Sequence, residues 1–281
     1  MKVLITGAKG MLGQALVKAF SGSHEVLAWD REEVDITREP VVKSKVSVAK
    51  PDLVINAAAY NNVDGAESEP EVANAVNGRA VGYLAEVCRG LDIPLVHYST
   101  EYVFDGENPT GYREEDKPSP ISKYGASKLL GEQELVKHTK RFYLLRLSRL
   151  FGKEAATTGA KKSFVRLMLD LARTRDELAV IDEELSCPTY APDLAARTRE
   201  LVEQEYSPGI YHSPNSGAVT WYGFAREIFK IAGISVKLQP VPAAHFPRPA
   251  KRPRYGILLN TKLSPMRPWQ EALKEFLIPN F

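Results

Sequence analysis

Lys2-Val3-Leu4-Ile5-Thr6 runs directly into Gly7-Ala8-Lys9-Gly10-Met11-Leu12-Gly13, and the fold turns on how that stretch is read. The first five residues are a short, apolar, partly β-branched run, which predicts a strand. From Met11 to Phe20, Leu12, Leu16 and Phe20 recur at helical spacing, which predicts an amphipathic helix. Between them the glycines stand as Gly7-x-x-Gly10-x-x-Gly13. Glycine lets the backbone turn sharply and lets a phosphate approach, while the first amides of a helix point unpaired N–H groups outward. Strand, glycine turn and helix in this order predict a dinucleotide pyrophosphate cradle, with Gly7, Gly10, Met11, Leu12 and Gly13 forming it.

Working outward, the same alternation repeats. Glu25–Trp29, Asp52–Asn56, Pro94–Ser99 and Phe142–Leu147 are short apolar runs. Glu71–Gly90 and Leu129–Lys137 read as helices between them. Nearly continuous apolar strands with connections too long for hairpins predict an α/β, Rossmann-type doubly wound parallel sheet covered by helices on both faces. Residues 1–150 are expected to form this dinucleotide-binding domain. Residues 151–281 are expected to form a smaller substrate-binding lobe, with segments within about 178–215 returning to the sheet. The second part contains a polar stretch from Lys153 to Lys162 and helices over Phe164–Thr174, Asp193–Glu203 and Tyr222–Ala232. Strand-like runs fall at Leu178–Asp182 and Gly209–His212, and the proline-rich Pro240–Pro253 reads as extended loop.

Composition removes several classes of function. Of 281 residues 44% are hydrophobic and 26% charged, which is an ordinary globular balance. The net charge of +2 lacks the clustered basic excess of a nucleic-acid-binding protein, the one short basic run being Pro247 to Arg254. Two cysteines, Cys88 and Cys187, make no disulfide framework and carry no metal spacing, so a reducing, cytoplasmic setting and no metal are expected. No stretch approaches the ~18 apolar residues of a membrane helix, and the N-terminus runs into the glycine turn rather than into a secretory leader.

Further cofactor contacts are expected at the ends of the next strands. Asp30 closes the second strand, where a carboxylate bonds ribose hydroxyls, while Arg31 beside it suits a 2′-phosphate. The two favour NADH and NADPH respectively, and both remain open. Asp35 and Ile36 are candidates for the adenine side, with an ordinary helix cap as the alternative. Ala57, Ala58 and Ala59 end the third strand with side chains small enough for the cofactor to lie against the backbone.

Ser99-Thr100 stand at the end of the fourth strand, where doubly wound sheets carry their chemistry. Tyr124 and Lys128 lie four apart in Tyr124-Gly125-Ala126-Ser127-Lys128, on one face if the segment is helical. An ammonium beside a phenol lowers the phenol's pKa and makes it a usable acid/base.

These residues, with several later blocks, resemble the extended short-chain dehydrogenase/reductases and, within them, the dTDP-4-dehydrorhamnose reductase family. The resemblance spans essentially the whole chain. It rests on Asn56 to Tyr60 with Val63-Asp64 and Ala66-Glu67, on Ser99 to Gly106, and on Tyr124 to Lys128 followed by Gly131-Glu132. Pro188 to Leu194, Trp221 to Ala225 and Arg248 to Pro253 complete it. It implies that Tyr124 protonates a sugar 4-alkoxide while NADPH or NADH supplies hydride, that Lys128 holds the nicotinamide ribose, and that Thr100 orients the carbonyl. It also implies Val63 and Tyr102 as lining of the sugar pocket. Arg252 is a candidate for the diphosphate, since guanidinium suits phosphate oxygens. Trp221 reads either as a substrate wall or as an anchor for the lobe.

The chain departs from the family's pattern near the substrate. Glu101 stands for the usual Asp, Asn61 for Thr, and Arg149 for a Trp that packs on the sugar. The acidic residue expected near Gln14-Ala15 for a metal-bridged dimer is absent, which favours a monomer or weak homodimer. Asn61 and Arg149 are therefore candidate substrate contacts that leave room for a different nucleotide-linked 4-keto-6-deoxysugar. A non-catalytic NADP-binding regulatory subunit, like that of methionine adenosyltransferase, is the alternative outside enzymology.

Overall fold

Six parallel strands form the central sheet of the computed structural model, which describes residues 1–156 and 162–278. They are β1 (Lys2–Thr6), β2 (Glu25–Trp29), β3 (Leu53–Asn56), β4 (Leu95–Thr100), β5 (Phe142–Leu147) and β6 (Gly209–His212), in the order β2-β1-β3-β4-β5-β6. Alternate side chains of each strand enter different layers. Val3 and Ile5 pack with α1 (Met11–Phe20) through Leu12, Leu16 and Phe20, whereas Leu4 packs on the opposite face. That face is covered by α2 (Glu39–Ala49) and α3 (Ala80–Leu91), through Val42, Val46, Leu84 and Cys88. Each such side chain, fully buried, contributes roughly 1.5–3 kcal/mol.

The sequence reading omits α2. Only Val42 and Val46 of this helix are buried, so its apolar stripe is too thin to stand out among lysines and serines. The long helix expected over Glu71–Gly90 is instead Pro70–Asn74, a π-helical turn at Ala75–Arg79, and then α3. The wide turn brings the Asn77 amide into the interior, where it accepts from Tyr60 N at 2.8 Å and donates to Tyr60 O and Ser127 Oγ at 3.0 Å each. It thereby ties the loop after β3 to α4 (Lys123–His138). A buried Arg146–Glu132 pair at 2.7 Å fixes α4 to β5.

Beyond β5 the chain crosses between two bodies. α5 (Phe164–Ala172) packs in a second core with Phe151, Leu178, Val180 and α7 (Trp221–Ala232). α6 (Ala191–Glu203), by contrast, lays Leu194, Ala195 and Leu201 on the α1 face of the sheet, and β6 pairs with β5. The proline-rich tail is less irregular than expected: Lys237–Val241 pairs in parallel with Glu177–Ile181, and Ala243–His245 forms a 3₁₀ turn. The sequence reading also leaves out α8 (Trp269–Leu277), whose Trp269, Leu273 and Leu277 enter the second core. Of the polar stretch Lys153–Lys162, residues 157–161 lie outside the described residues. Among the described residues no helix is long and apolar enough to cross a membrane, and no group of His, Cys, Asp or Glu could hold a metal ion.

Candidate active site

The site lies along the C-terminal edge of the sheet. At the end of β1, Gly7 adopts φ +70°, and a Cβ there would lie 2.6 Å from Ala58 N. A Cβ on Gly13 would lie 2.1 Å from Gly7 O, so both positions admit only glycine. Gly10 is the N-cap of α1, with no side-chain hydrogen bond at the cap and no acidic residue in the first turn. The α1 N-terminus therefore offers the N–H groups of Met11, Leu12 and Gly13 to an anion. This backbone cradle fits the pyrophosphate of a nicotinamide dinucleotide.

Around the cradle, Asp30 accepts from Lys9 N at 2.9 Å and from Arg31 N at 2.8 Å, so its carboxylate holds the glycine turn in place. Arg31 is exposed. Asp35 accepts from Thr37 N and Thr37 Oγ1, which hold its carboxyl below the usual range, hydroxyl first. Ile36 is buried in the core with Leu4 and Val42. Ala57, Ala58 and Ala59 are half-buried along the end of β3. Gln14 Nε2 donates to Glu154 O at 2.8 Å and Ala156 N to Lys9 O at 2.9 Å, which fastens the start of the second body over the glycine turn.

The chemistry gathers at the end of β4. Ser122 caps α4 by accepting from Gly125 N at 3.1 Å, and the helix then sets Tyr124 and Lys128 one turn apart. Thr100, Tyr124 and Lys128 are 6%, 8% and 3% exposed, so all three lie in a water-poor environment. The Thr100 side chain lies close enough to the Tyr124 phenol to act on its acidity, opposing the effect of burial. Lys128 Nζ donates to Tyr98 O at 2.6 Å. Burial pushes the Lys128 ammonium down to about 8.

The expected lowering of the Tyr124 phenol by its neighbouring ammonium does not occur. Burial, followed by the negative charge of Glu101, raises Tyr124 well above the ordinary tyrosine value. A phenol that keeps its proton is suited to donate it to an alkoxide. Glu101 is itself buried and pushed up to about 7 by desolvation, against the opposing Thr100 hydrogen bond and Arg149 charge.

The candidate substrate residues divide. Val63 and Tyr102 pack with Tyr124, and the Tyr102 ring meets it edge-on at 5.4 Å. Asn61 is exposed. Arg149 does not present an unengaged cation: its guanidinium stacks 3.8 Å over Trp221 and donates to Val219 O at 2.7 Å and Glu184 O at 2.6 Å. Trp221 also packs on Phe164 at 4.5 Å and donates to Glu184 Oε2 at 2.9 Å, so it anchors the second body. Arg252 forms a two-pronged pair with Asp64, at 3.0 and 2.7 Å, and donates to Ala250 O. The tail thus crosses to the loop after β3.

Sequence reasoning missed Asn77, Tyr98 and the weight of Glu101. Asn77 and Tyr98 carry no motif, since the role of each is a contact between elements. Glu101 stood out in sequence only as a mild departure from the family's Asp, because its burial and its bond to Thr100 come from the fold.

The sequence model of the RmlD substrate binding domain matches residues 1–280. The chain is 39% identical over 291 aligned residues to a dTDP-4-dehydrorhamnose reductase of Aggregatibacter actinomycetemcomitans, covering 97% of each. It is 36% identical to a probable dTDP-4,6-dihydroxy-2-methyloxan-3-one 4-ketoreductase of Streptomyces antibioticus, covering 98% of this chain and 94% of that one. Its structure superposes with a TM-score of 0.94 and 33% identity on a dTDP-4-dehydrorhamnose reductase of Bacillus anthracis in complex with NADP, covering 99% of both. A glycine cradle at β1, a Thr100–Tyr124–Lys128 cluster at β4 and full-length matches of this kind place the chain in the dTDP-4-dehydrorhamnose reductase family.

Proposed function

We propose that this protein reduces the 4-keto group of a nucleotide-linked 6-deoxysugar, converting dTDP-4-dehydro-L-rhamnose to dTDP-L-rhamnose with NADPH or NADH. The observation that carries the reading is the buried grouping of Thr100, Tyr124 and Lys128 at the end of β4, on the same edge of the sheet as the glycine cradle. A reduced nicotinamide dinucleotide bound along the cradle supplies hydride. Thr100 and Tyr124 converge on the sugar carbonyl oxygen, and Tyr124 donates the proton as the alkoxide forms. Lys128, pinned to the Tyr98 carbonyl, holds the nicotinamide ribose and adds positive potential to the site. Arg31 beside Asp30 supports acceptance of a 2′-phosphate. Exposed large apolar side chains such as Val48, Val72, Val136, Leu167 and Phe246 are spread over different elements, which suits a monomer or weak homodimer.

The Arg149–Trp221 stack favours a second reading, in which the sugar is a related 4-keto-6-deoxysugar. A flat guanidinium on an indole replaces the family's Trp and offers a polar rather than apolar surface. The Streptomyces relative is named for another dTDP-linked ketone.

Following NAD(P)H oxidation with dTDP-4-dehydro-L-rhamnose tests the reading. Wild type is expected to turn over, and Tyr124→Phe to lose roughly 10²–10⁴-fold in kcat with unchanged melting. Oxidation only with another sugar would select the second reading, and Arg149→Trp would then shift preference toward the rhamnose precursor. No oxidation with any of these sugars would return the regulatory-subunit reading.

A further inference from the structure

Glu101 is the buried ionisable group of the site that the reduction itself leaves unused. Its carboxylate oxygen Oε2 accepts from Thr100 Oγ1 at 2.7 Å, and the side chain is 5% exposed. A threonine hydroxyl has one proton to donate and two lone pairs. Here Thr100 spends that proton on Glu101 and accepts from Tyr102 N at 3.2 Å, while the Tyr124 phenol is near enough to feel both Thr100 and the charge of Glu101. Tyr124, Thr100 and Glu101 therefore form a line in which one hydroxyl separates a phenol from a carboxyl.

The groups facing Glu101 come from several parts of the fold. Tyr102 follows it in the chain, Tyr124 comes from α4, Arg149 from beyond β5 and Cys187 from the second body. Gly256 of the tail closes the remaining side: a Cβ there would lie 2.7 Å from Glu101 Cγ. Arg149 is the only one of these carrying a full positive charge, and two backbone carbonyls and Trp221 already occupy its guanidinium.

We infer that Glu101 is a positioning residue that recharges Tyr124 with a proton through the Thr100 hydroxyl and, by its own protonation, decides whether that hydroxyl can face the substrate. As a carboxylic acid, Glu101 donates to Thr100 Oγ1 and leaves the Thr100 proton free for the sugar carbonyl oxygen. Hydride reaches the carbonyl carbon and Tyr124 gives its proton to the oxygen, leaving a phenolate. Thr100 passes its proton to the phenolate and takes the one on Glu101. Glu101 ends as a carboxylate and regains a proton from solvent when the product leaves. Charge and protons balance, with hydride from the reduced nicotinamide as the only reductant.

The kinetic arm of the test rests on the reductase reading; the titration arm does not. With wild type, kcat is expected to fall as pH rises through a midpoint near 7, the value to which burial pushes Glu101. Glu101→Gln keeps the shape but cannot supply a proton. It is expected to lose roughly tenfold or more in kcat, less than the loss of a direct proton donor, with KM nearly unchanged and the fall near pH 7 abolished. Glu101→Asp should restore the fall and part of the rate. Retention of the wild-type profile by Glu101→Gln would overturn the inference. Independently of any substrate, the ¹³C carboxyl resonance of Glu101, assigned by its loss in Glu101→Asp, should titrate near neutrality. A midpoint below about 5, in the range of an ordinary exposed glutamate, would overturn it even if the enzyme were active.

Discussion

The Arg149 guanidinium lies 3.8 Å from the centre of the Trp221 ring and bonds the carbonyls of Val219 and Glu184, joining the end of the sheet to the second body. Arg149 also adopts φ +43°, a left-handed conformation that costs a non-glycine residue roughly 1–2 kcal/mol. The contacts with the second body offset that cost.

Arg149→Met should therefore act first on stability. It removes two charge-assisted hydrogen bonds and leaves two carbonyls poorly satisfied, so a loss of about 2–4 kcal/mol is expected. Urea denaturation monitored by far-UV circular dichroism should show a lower midpoint with an unchanged slope. An unaltered midpoint would mean that the guanidinium contributes little to holding the two bodies together.

Lys128 should leave a pH signature in stability. Its folded value of about 8 lies below the ordinary value of 10.5 because burial opposes the ammonium. Between those values the unfolded chain binds more protons than the folded one, so this contribution to stability rises with pH. Below pH 8 the penalty of the buried charge is fully present, and its relief toward pH 10.5 amounts to about 3 kcal/mol at most. Wild type compared with Lys128→Met across pH 7–10 should show wild type gaining relative stability. A constant difference would show that Lys128 titrates normally.

Arg252 should govern substrate capture rather than chemistry. Its pairing with Asp64 leaves a pre-formed, half-buried guanidinium that a diphosphate could share or take over. Arg252→Ala is expected to raise KM for the nucleotide sugar roughly tenfold while kcat changes little, the pattern of lost uniform binding. A fall in kcat at constant KM would instead place Arg252 in the assembly of the catalytic geometry.

Legibility followed the range of the interactions. β1, α1 and β2 have the bounds read from the sequence, because their periodicity is local and their apolar faces are dense. α2 escaped because two buried valines are too few to mark a face. The π turn escaped because one extra residue per turn leaves no compositional trace, although it alone brings Asn77 to Tyr60 and Ser127.

The glycine cradle and the Tyr124–Lys128 spacing followed from sequence, since backbone sterics and helical pitch depend only on neighbours in the chain. Charge states and partners did not. That Tyr124 is raised rather than lowered, that Arg252 faces Asp64, and that Arg149 stacks on Trp221 were decided only in three dimensions. Desolvation and pairing depend on what surrounds a group in space, and those surroundings come from elements up to 188 residues apart.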